Sequence, residues 1–401
     1  MTAQTFIGLT AAEVEQTAEW IASVQLPNGM VPWYRGGHAD PWNHVEAAMA
    51  LAAGGRWKDV ERAFDWLASR QLPDGSWCTF YLADGVIEPR RDPNVCAYVA
   101  TGAWWCAQVR RAPDMLAEMW PMLSKAVSWC LSYQLPGGEI TWSVGPDGVP
   151  GSFALLAANS SLHGSLVCAA QVADALGHQG ECRLWRAAAE RVAEAVAGRP
   201  AAFAPKARWA MDWYYPVLSG AVVGEAARGR LEDRWDELVV EGLGVRCVAD
   251  RTWVTAAETA ECAMAAGRAG LRARGEQLLD WTRHLRADDG SYWTGCVHPG
   301  CNRYPGGQTS TYSAAAVVIA DHVLNGRSPA AQTFSGPGPS SGPAQSGLAQ
   351  SGLAQSGPAQ SGPAAEDGSQ AVGRPRDRAA AFSSRLARLP EAMHDGTPTP
   401  P

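Results

Sequence analysis

Three glutamates are candidates for acid–base chemistry, because each lies in a helical segment that is apolar on every side. Glu46, Glu258 and Glu261 fall in the second turn or later of such segments, where an unpaired buried carboxylate is costly. Glu258 and Glu261 share one helix face through their i,i+3 spacing. Buried carboxyl groups with perturbed pKa values are what general acid–base catalysis uses. An ion pair with Arg251 or Arg268 is the structural alternative.

One acid and three aromatic rings begin another apolar segment, in the order Asp212, Trp213, Tyr214, Tyr215. Aromatic faces line sugar subsites by stacking, and they stabilise carbocations in isoprenoid cavities. Packing in the core is the structural alternative, since Trp and Tyr are common at buried helix starts. The cluster therefore predicts either a ligand-binding wall or a packed helix start.

Capping residues and histidines mark the starts of three further segments. Asp40 and Asp92 each precede a proline, which is the pattern of an N-cap with proline at the first helical position. Asn159 has the same ambiguity between capping and binding. His44 and His163 each lie four residues after a cap, so they should face similarly in two repeats. Each is either a satisfied core histidine or a cavity group.

Together the segment starts predict one rim of carboxylates, amides, hydroxyls and rings, which Trp253 and Tyr312 would join. Helix N-termini carry partial positive charge, so such a rim suits an anionic ligand group. Glu258 and Asp212 are the first choices for catalysis. The catalytic set is Glu258, Asp212, Glu46 and His44, and the substrate-binding set is Asp40, Asp92, Asn159, His163, Trp213, Tyr214, Trp253 and Tyr312.

Two alternating kinds of helical segment would position these residues. Charged, amphipathic segments cover residues 11–25, 57–71, 114–134, 181–197, 231–242 and 272–286. Segments that are apolar all round, and therefore buried, cover residues 41–53, 93–109, 160–176, 212–227, 253–268 and 309–324. The alternation predicts an all-α (α/α)6 toroid over residues 1–325, with the apolar segments forming the inner of two concentric rings.

A repeated phrase ends the outer segments. It covers residues 20–29, 66–77 and 129–138, each with Trp, then Gln five residues later, then Leu-Pro and a glycine; residues 281–293 keep the frame without the Gln. Proline stops the helix and glycine permits a sharp turn. A fixed phrase at a regular interval is the signature of a repeat architecture.

The phrase resembles the QW motif of squalene and hopene cyclases and of the related protein prenyltransferases, most closely from Gln71 to Trp77. The resemblance implies an (α/α)6 toroid in which Gln and Trp are structural. It does not extend to chemistry, because Asp-x-Asp-Asp, Asp-x-Cys and Asp-Asp-x-x-Asp are all absent from this sequence. Thr309, Ser310 and Thr311 stand near the place of a prenyltransferase's zinc-binding His.

Three functions follow from these observations. The first is a divergent, prenyltransferase-like or terpenoid-handling transferase with an isoprenoid-like substrate in the central cavity. The second is a carbohydrate-active (α/α)6 enzyme of glycoside hydrolase or lyase type, which would use the rim carboxylates on a glycan-like substrate. The third is a non-catalytic binding scaffold. The sequence identifies no cofactor.

The remaining residues, 326–401, predict a disordered tail, because five-residue units of the SGPAQ type repeat there with few large apolar side chains. Its end is a candidate docking segment for a partner protein. A net charge of −7 argues against nucleic acid. With no apolar run of roughly 18 residues and no basic, apolar N-terminal leader, we expect a cytoplasmic protein. Cys296, His298 and Cys301 share one loop, but without a second such group we expect no metal site.

Overall fold

The computed structural model describes residues 8–336, and it is mostly helical. The outer helices are α1 (Ala11–Val24), α3 (Trp57–Arg70), α6 (Asp114–Leu131), α8 (Gln179–Gly198), α10 (Gly224–Glu232) and α13 (Arg272–Trp281). The inner helices are α2 (Pro41–Ala53), α5 (Val99–Arg110) with the short α4 (Pro93–Ala97) before it, α7 (Leu156–Ala175), α9 (Ala210–Leu218), α12 (Ala256–Arg268) and α14 (Thr311–Leu324). Two further short helices are α11 (Trp235–Leu238) and α15 (Gln332–Ser335).

The inner helices close a ring. Helix α2 packs on α5, α5 on α7, α7 on α9, α9 on α12, α12 on α14, and α14 packs back on α2. Outer helices cover this ring: α1 lies against α14 and α2, α8 against α7, and α13 against α12 and α14. Helices α2, α12 and α14 are buried over almost their whole length, because the outer ring removes their other faces from water. The predicted alternation of inner and outer helices therefore has its counterpart in the packing.

The all-α class is correct only in part, because two antiparallel sheets connect helices. Strands β1 (Phe80–Leu82) and β2 (Gly85–Glu88) form a hairpin. A second sheet has the order β3 (Val239–Val240), β4 (Gly244–Arg246), β5 (Trp253–Thr255), β6 (Trp293–Val297) and β7 (Asn302–Thr309). The long connections must pair their own backbone groups, and their Val, Trp and Thr residues suit strands.

Several predicted boundaries shift as a consequence. The fifth outer helix is α10 rather than residues 231–242, and the fourth inner helix, α9, ends at Leu218 rather than at residue 227. Residues 253–255 are strand, so α12 begins only at Ala256. Ordered structure also continues past residue 325, since α15 packs on α12 and buries Phe334. The predicted tail from residue 337 onward and its docking segment lie outside the described residues.

Among residues 8–336, the structure contains no helix that is both long enough and apolar enough to cross a membrane.

The repeated phrase ties neighbouring outer helices together. The Gln71 side chain donates to the carbonyl of Gly75 at 2.9 Å, within its own turn, and to that of Met122 at 2.8 Å, in α6. Gln134 repeats this arrangement between α6 and α8. Gly75 has a φ of +97°, and a Cβ there would come within 2.6 Å of the Lys125 carbonyl, so the close approach of turn and helix requires glycine.

Removal of these ties should lower stability without selectively removing activity. Gln71→Ala removes the side-chain donor from the Gly75 and Met122 carbonyls, and Trp77→Ala empties a fully buried site and removes the indole donor from the Leu67 carbonyl. We expect the free energy of unfolding to fall by about 1–3 kcal/mol for the first and about 3–5 kcal/mol for the second. Denaturant titration and turnover per folded molecule measure both effects. Leu184→Ala, on an exposed part of α8, is the control. An unchanged unfolding midpoint together with lost turnover would contradict a structural role.

Candidate active site

Asp40 caps α2 and accepts three N–H donors. Its Oδ1 accepts the Asn43 backbone N–H at 3.0 Å, and its Oδ2 accepts both the Asn43 side-chain amide at 2.7 Å and the Trp33 indole N–H. Pro41 at the first helical position supplies no N–H and has the φ that a helix start needs. The predicted cap is confirmed, and the same carboxylate lies beside the central cluster, since its charge raises the pKa values of Glu46 and Asp92.

Asp92 caps α4 in the same way but uses a single oxygen. Its Oδ1 accepts the backbone N–H groups of Asn94 at 2.9 Å and Val95 at 3.4 Å. Burial raises the pKa of Asp92 to about 6, an effect that the neighbouring Arg90 partly offsets. Among residues 8–336, no hydrogen bond to the second oxygen is found, so that oxygen can accept or donate one to a ligand.

Glu258 lies on the rim and is partly exposed. The expectation that it falls too deep in its helix to act at a cap is wrong, because α12 starts at Ala256 and Glu258 is its third residue. The Thr255 hydroxyl donates to its Oε2. Its charge raises the pKa of the buried Tyr312 hydroxyl at the start of α14. Glu258 is thus on the same wall as Tyr312, whose ring lies 5.2 Å from that of Trp33.

Below the rim, two buried glutamates are held by tyrosines. Glu46 accepts the Tyr98 hydroxyl at 3.1 Å, and Glu261 accepts those of Tyr214 and Tyr215, the latter at 2.8 Å. Burial raises the pKa of Glu261 to about 8, and burial together with the charge of Glu261 raises that of Glu46 well above its usual range. At neutral pH this pair therefore retains a proton.

The ring is narrow at this depth. A cavity of about 30 Å³ at this depth is lined by Glu46, Glu261, Tyr98 and Tyr215 among others, and Thr333 and Phe334 also border it. This volume is enough for about one water molecule and not for a sugar ring. Asp40, Asp92 and Glu258 lie above this depth, at the rim formed by the inner-helix N-termini.

Asp212 and Trp213 are not brought to this cluster. The Asp212 carboxylate accepts the Ala157 backbone N–H at 3.2 Å and lines a separate groove with Arg230 and Arg234. Burial raises its pKa. The Trp213 indole donates to the Arg230 carbonyl at 2.8 Å, which indicates a packing role. Of the predicted aromatic cluster, the tyrosines face the centre and Asp212 faces away from it.

Three of the predicted site residues, His44, Asn159 and His163, form hydrogen bonds to backbone groups of neighbouring segments. His44 Nδ1 accepts the Val31 N–H at 3.0 Å and its Nε2 donates to the Ala63 carbonyl at 2.9 Å. Burial lowers the pKa of His44 to about 4, so the imidazole is neutral. Asn159 likewise accepts the Ile140 N–H at 2.7 Å, with its amide on two carbonyls. His163 Nδ1 donates to the Ala189 carbonyl at 3.0 Å.

Trp253 lies in β5, with its ring 5.5 Å from that of Tyr304 in β7. From the sequence we missed Trp33, Asn43 and Tyr98 as site residues, and we named Tyr215 only as a member of the aromatic cluster. Trp33 was available as the aromatic that ends the first repeated phrase, but the phrase was interpreted as structural throughout. Asn43 lies three residues after a predicted cap, a spacing that also marks a side chain within reach of the capping carboxylate.

A search against protein-family models found no match. A curated relative, the "MMP endo-(1,4)-3-O-methyl-alpha-D-mannosidase" of Mycolicibacterium hassiacum, is 44% identical over 330 residues, which cover 82% of this chain and 90% of the relative. Among solved structures, a glycosidase in complex with glucose has a TM-score of 0.62 at 17% identity, covering 79% of this chain and 99% of that one. An alpha-amylase from Clostridium perfringens has a TM-score of 0.58 at 8% identity, covering 78% and 98%.

The assignment to terpene cyclases and protein prenyltransferases, with the transferase activity and the QW repeat that it implied, is therefore wrong. The repeated phrase describes how an outer helix ends against the next one, a geometry that does not depend on the chemistry in the ring centre. The carbohydrate-active alternative is the correct one. By its identity to the Mycolicibacterium hassiacum mannosidase, the chain belongs to that enzyme's family and is a glycoside hydrolase.

Proposed function

We propose that this enzyme hydrolyses internal (1,4) bonds between 3-O-methylated α-mannose units, at the rim formed by the N-termini of the inner helices. The relative's activity supports the substrate class. The observation that carries the location is that Glu258 is partly exposed on a rim shared with Asp40 and Asp92, while the cavity beneath, of about 30 Å³, is too small for a sugar ring. We place the substrate across this opening of the (α/α)6 toroid.

Asp40 and Glu258 are the proposed catalytic pair. Glycoside hydrolysis needs one carboxyl group that donates a proton to the leaving oxygen and one carboxylate that acts on the other face of the sugar. Asp40 accepts three N–H donors and serves as the carboxylate. Proton donation then falls to Glu258, whose Oε2 is fixed by Thr255. Trp33 and Tyr312 form the wall between the two groups.

The rim also suits methylated sugars. A 3-O-methyl group replaces a hydroxyl donor with apolar surface, which binds best against other apolar surface. The β1–β2 hairpin joins the rim through the pairing of Ala39 with Tyr81, next to Asp40. It leaves Val86 and Ile87 about half exposed, at 47% and 46%. We assign these two side chains to contact with the substrate's methyl groups.

The state of the cysteine thiols supports a proposal for the cellular compartment. All ten cysteines are free, and nine are buried. Retention of so many thiols suits a reducing compartment such as the cytoplasm.

Product analysis tests the activity. An oligosaccharide of (1,4)-linked 3-O-methyl-α-mannose should give shorter oligosaccharides of several lengths, because an endo-acting enzyme binds units on both sides of the bond. The unmethylated (1,4)-α-mannose oligosaccharide should be cleaved at least tenfold more slowly, the effect of roughly 1.4 kcal/mol of lost apolar contact. Mass spectrometry of the products measures both. Release of monosaccharide alone, or equal rates on both substrates, would contradict the proposal.

Isosteric variants test the catalytic pair. Asp40→Asn and Glu258→Gln keep side-chain shape, and Glu258→Gln should keep its melting temperature. Asp40→Asn still caps α2 but turns an NH2 towards the Trp33 and Asn43 donors, so it should lose about 1–3 kcal/mol of stability, and kcat is compared per folded molecule. Each should lose about 10²–10⁴-fold in kcat, because a positioned carboxyl group is removed. Asp212→Asn is the matched control: a largely buried acid outside the cluster, for which we expect kcat within about twofold. If instead Asp212→Asn lost turnover while Glu258→Gln kept it, the site would lie at the groove of Arg230.

The raised pKa of Asp92 gives a pH-dependent prediction. The carboxyl group of Asp92 and the amide of Asp92→Asn can both cap α4, but only the carboxyl group ionises. Its pKa is about 6 in the folded protein, above the ordinary value of 3.8, so the folded state ionises less readily than the unfolded chain. Below pH 4 both folded and unfolded Asp92 are protonated, so Asp92→Asn should match the wild type in stability. As the pH rises from 4 to 6, the free energy of unfolding of the wild type falls relative to that of the variant. The difference reaches about 3 kcal/mol above pH 6. Thermal unfolding across this range measures it; a constant difference at every pH would refute the burial of an ionised Asp92.

A further inference from the structure

Three soft donor atoms converge outside the proposed active site. His284 Nδ1, Cys296 Sγ and Cys301 Sγ all lie within 4.8 Å of one another. The Cys301 sulfur is 3.5 Å from His284 Nδ1. His284 lies in the short 3-10 helix Thr282–Leu285 that follows α13, and both cysteines lie in the β6–β7 hairpin. The sequence suggested His298 as the histidine of this loop, whereas the fold supplies His284 instead.

The orientation of His284 is set by a second contact. Its Nε2 lies 2.9 Å from the Leu243 carbonyl, which can only accept, so Nε2 carries the proton. Nδ1 is left with a lone pair directed at the sulfurs. Metal-binding histidines commonly donate their other ring N–H to a backbone carbonyl, which fixes both tautomer and ring plane.

The two cysteines are also held in position. Cys296 is fully buried on β6, paired with Arg303 of β7. Cys301 has a φ of +52°, a left-handed conformation that is uncommon for a side-chain-bearing residue and that is often found at functional sites.

We propose that His284, Cys296 and Cys301 bind one Zn²⁺, with water completing a tetrahedron. Two thiolates and one imidazole are ligands that zinc prefers, and Cys301 is partly exposed, so water can reach the ion. The ion joins the turn that ends α13 to the sheet whose β5 leads into α12 and whose β7 leads into α14. It thereby fixes the strands next to Glu258 and Tyr312 without touching either residue.

Zinc content measures the proposal directly. We expect about one zinc per chain, by elemental mass spectrometry, in full-length protein purified without chelator. Cys301→Ser and His284→Ala should retain less than about a tenth of this amount, because two ligands hold Zn²⁺ far less tightly. His298→Ala is the matched control on the same loop and should keep its zinc. A strong chelator should lower the melting temperature of the wild type and of His298→Ala, and added Zn²⁺ should restore it.

Co²⁺ added to the chelated wild type checks the ligand set independently of how well the variants fold. Two thiolate ligands should give sulfur-to-cobalt charge-transfer absorption, which excess Zn²⁺ should abolish. Three outcomes would overturn the proposal: a wild type that binds neither ion, a Cys296–Cys301 disulfide in the purified protein, or full zinc in both Cys301→Ser and His284→Ala. Loss of zinc from His298→Ala alone would also overturn this ligand set.

Discussion

The enclosure of the inner helices by the outer ones is the constraint on which the site depends. A carboxylate on an inner helix cannot reach water through the outer ring, so it must face the centre or lie at a helix end. Glu46 and Glu261 take the first position and are stabilised by tyrosine hydroxyls, while Asp40 and Asp92 take the second as caps. The same packing leaves little space in the centre of the ring, so the rim is where we propose that a sugar meets a carboxyl group.

Stability and function share residues at this rim. The caps at Asp40 and Asp92 are each worth about 1 kcal/mol to their helices, and any helix of this ring would benefit from them. What distinguishes Asp40 is the addition of the Trp33 indole and the Asn43 amide to the capping N–H. A capping role and the proposed catalytic role of Asp40 are therefore compatible, so it is not necessary to choose between them.

The sequence predicted most of the ring and part of the site, for identifiable reasons. Proline and glycine after Gln71 mark where an outer helix ends, and the apolar sequence of α14 requires burial. The helices and their order were therefore predictable. The rim strands were not, because their pairing depends on segments far apart in the chain, such as β5 with β6. Glu261 was predicted as a buried carboxylate, and the structure confirms its burial.

Asp212 shows why the choice of catalytic acid was harder. It lies two residues before Tyr214 on α9, a rotation of about 200° around the helix, so when the tyrosine faces the centre the aspartate faces away. The family assignment failed for a related reason: the Gln71 phrase encodes the contact between outer helices, which carries no information about the centre.

The crystal structure of the Glu258→Gln variant with a bound methylated (1,4)-mannose oligosaccharide tests the central claim most directly. We expect the sugar chain to cross the rim, with one glycosidic oxygen within hydrogen-bond distance of the amide introduced at position 258 and the neighbouring ring facing Asp40. An oligosaccharide bound instead in the groove of Asp212 and Arg230, with the rim empty, would contradict the account.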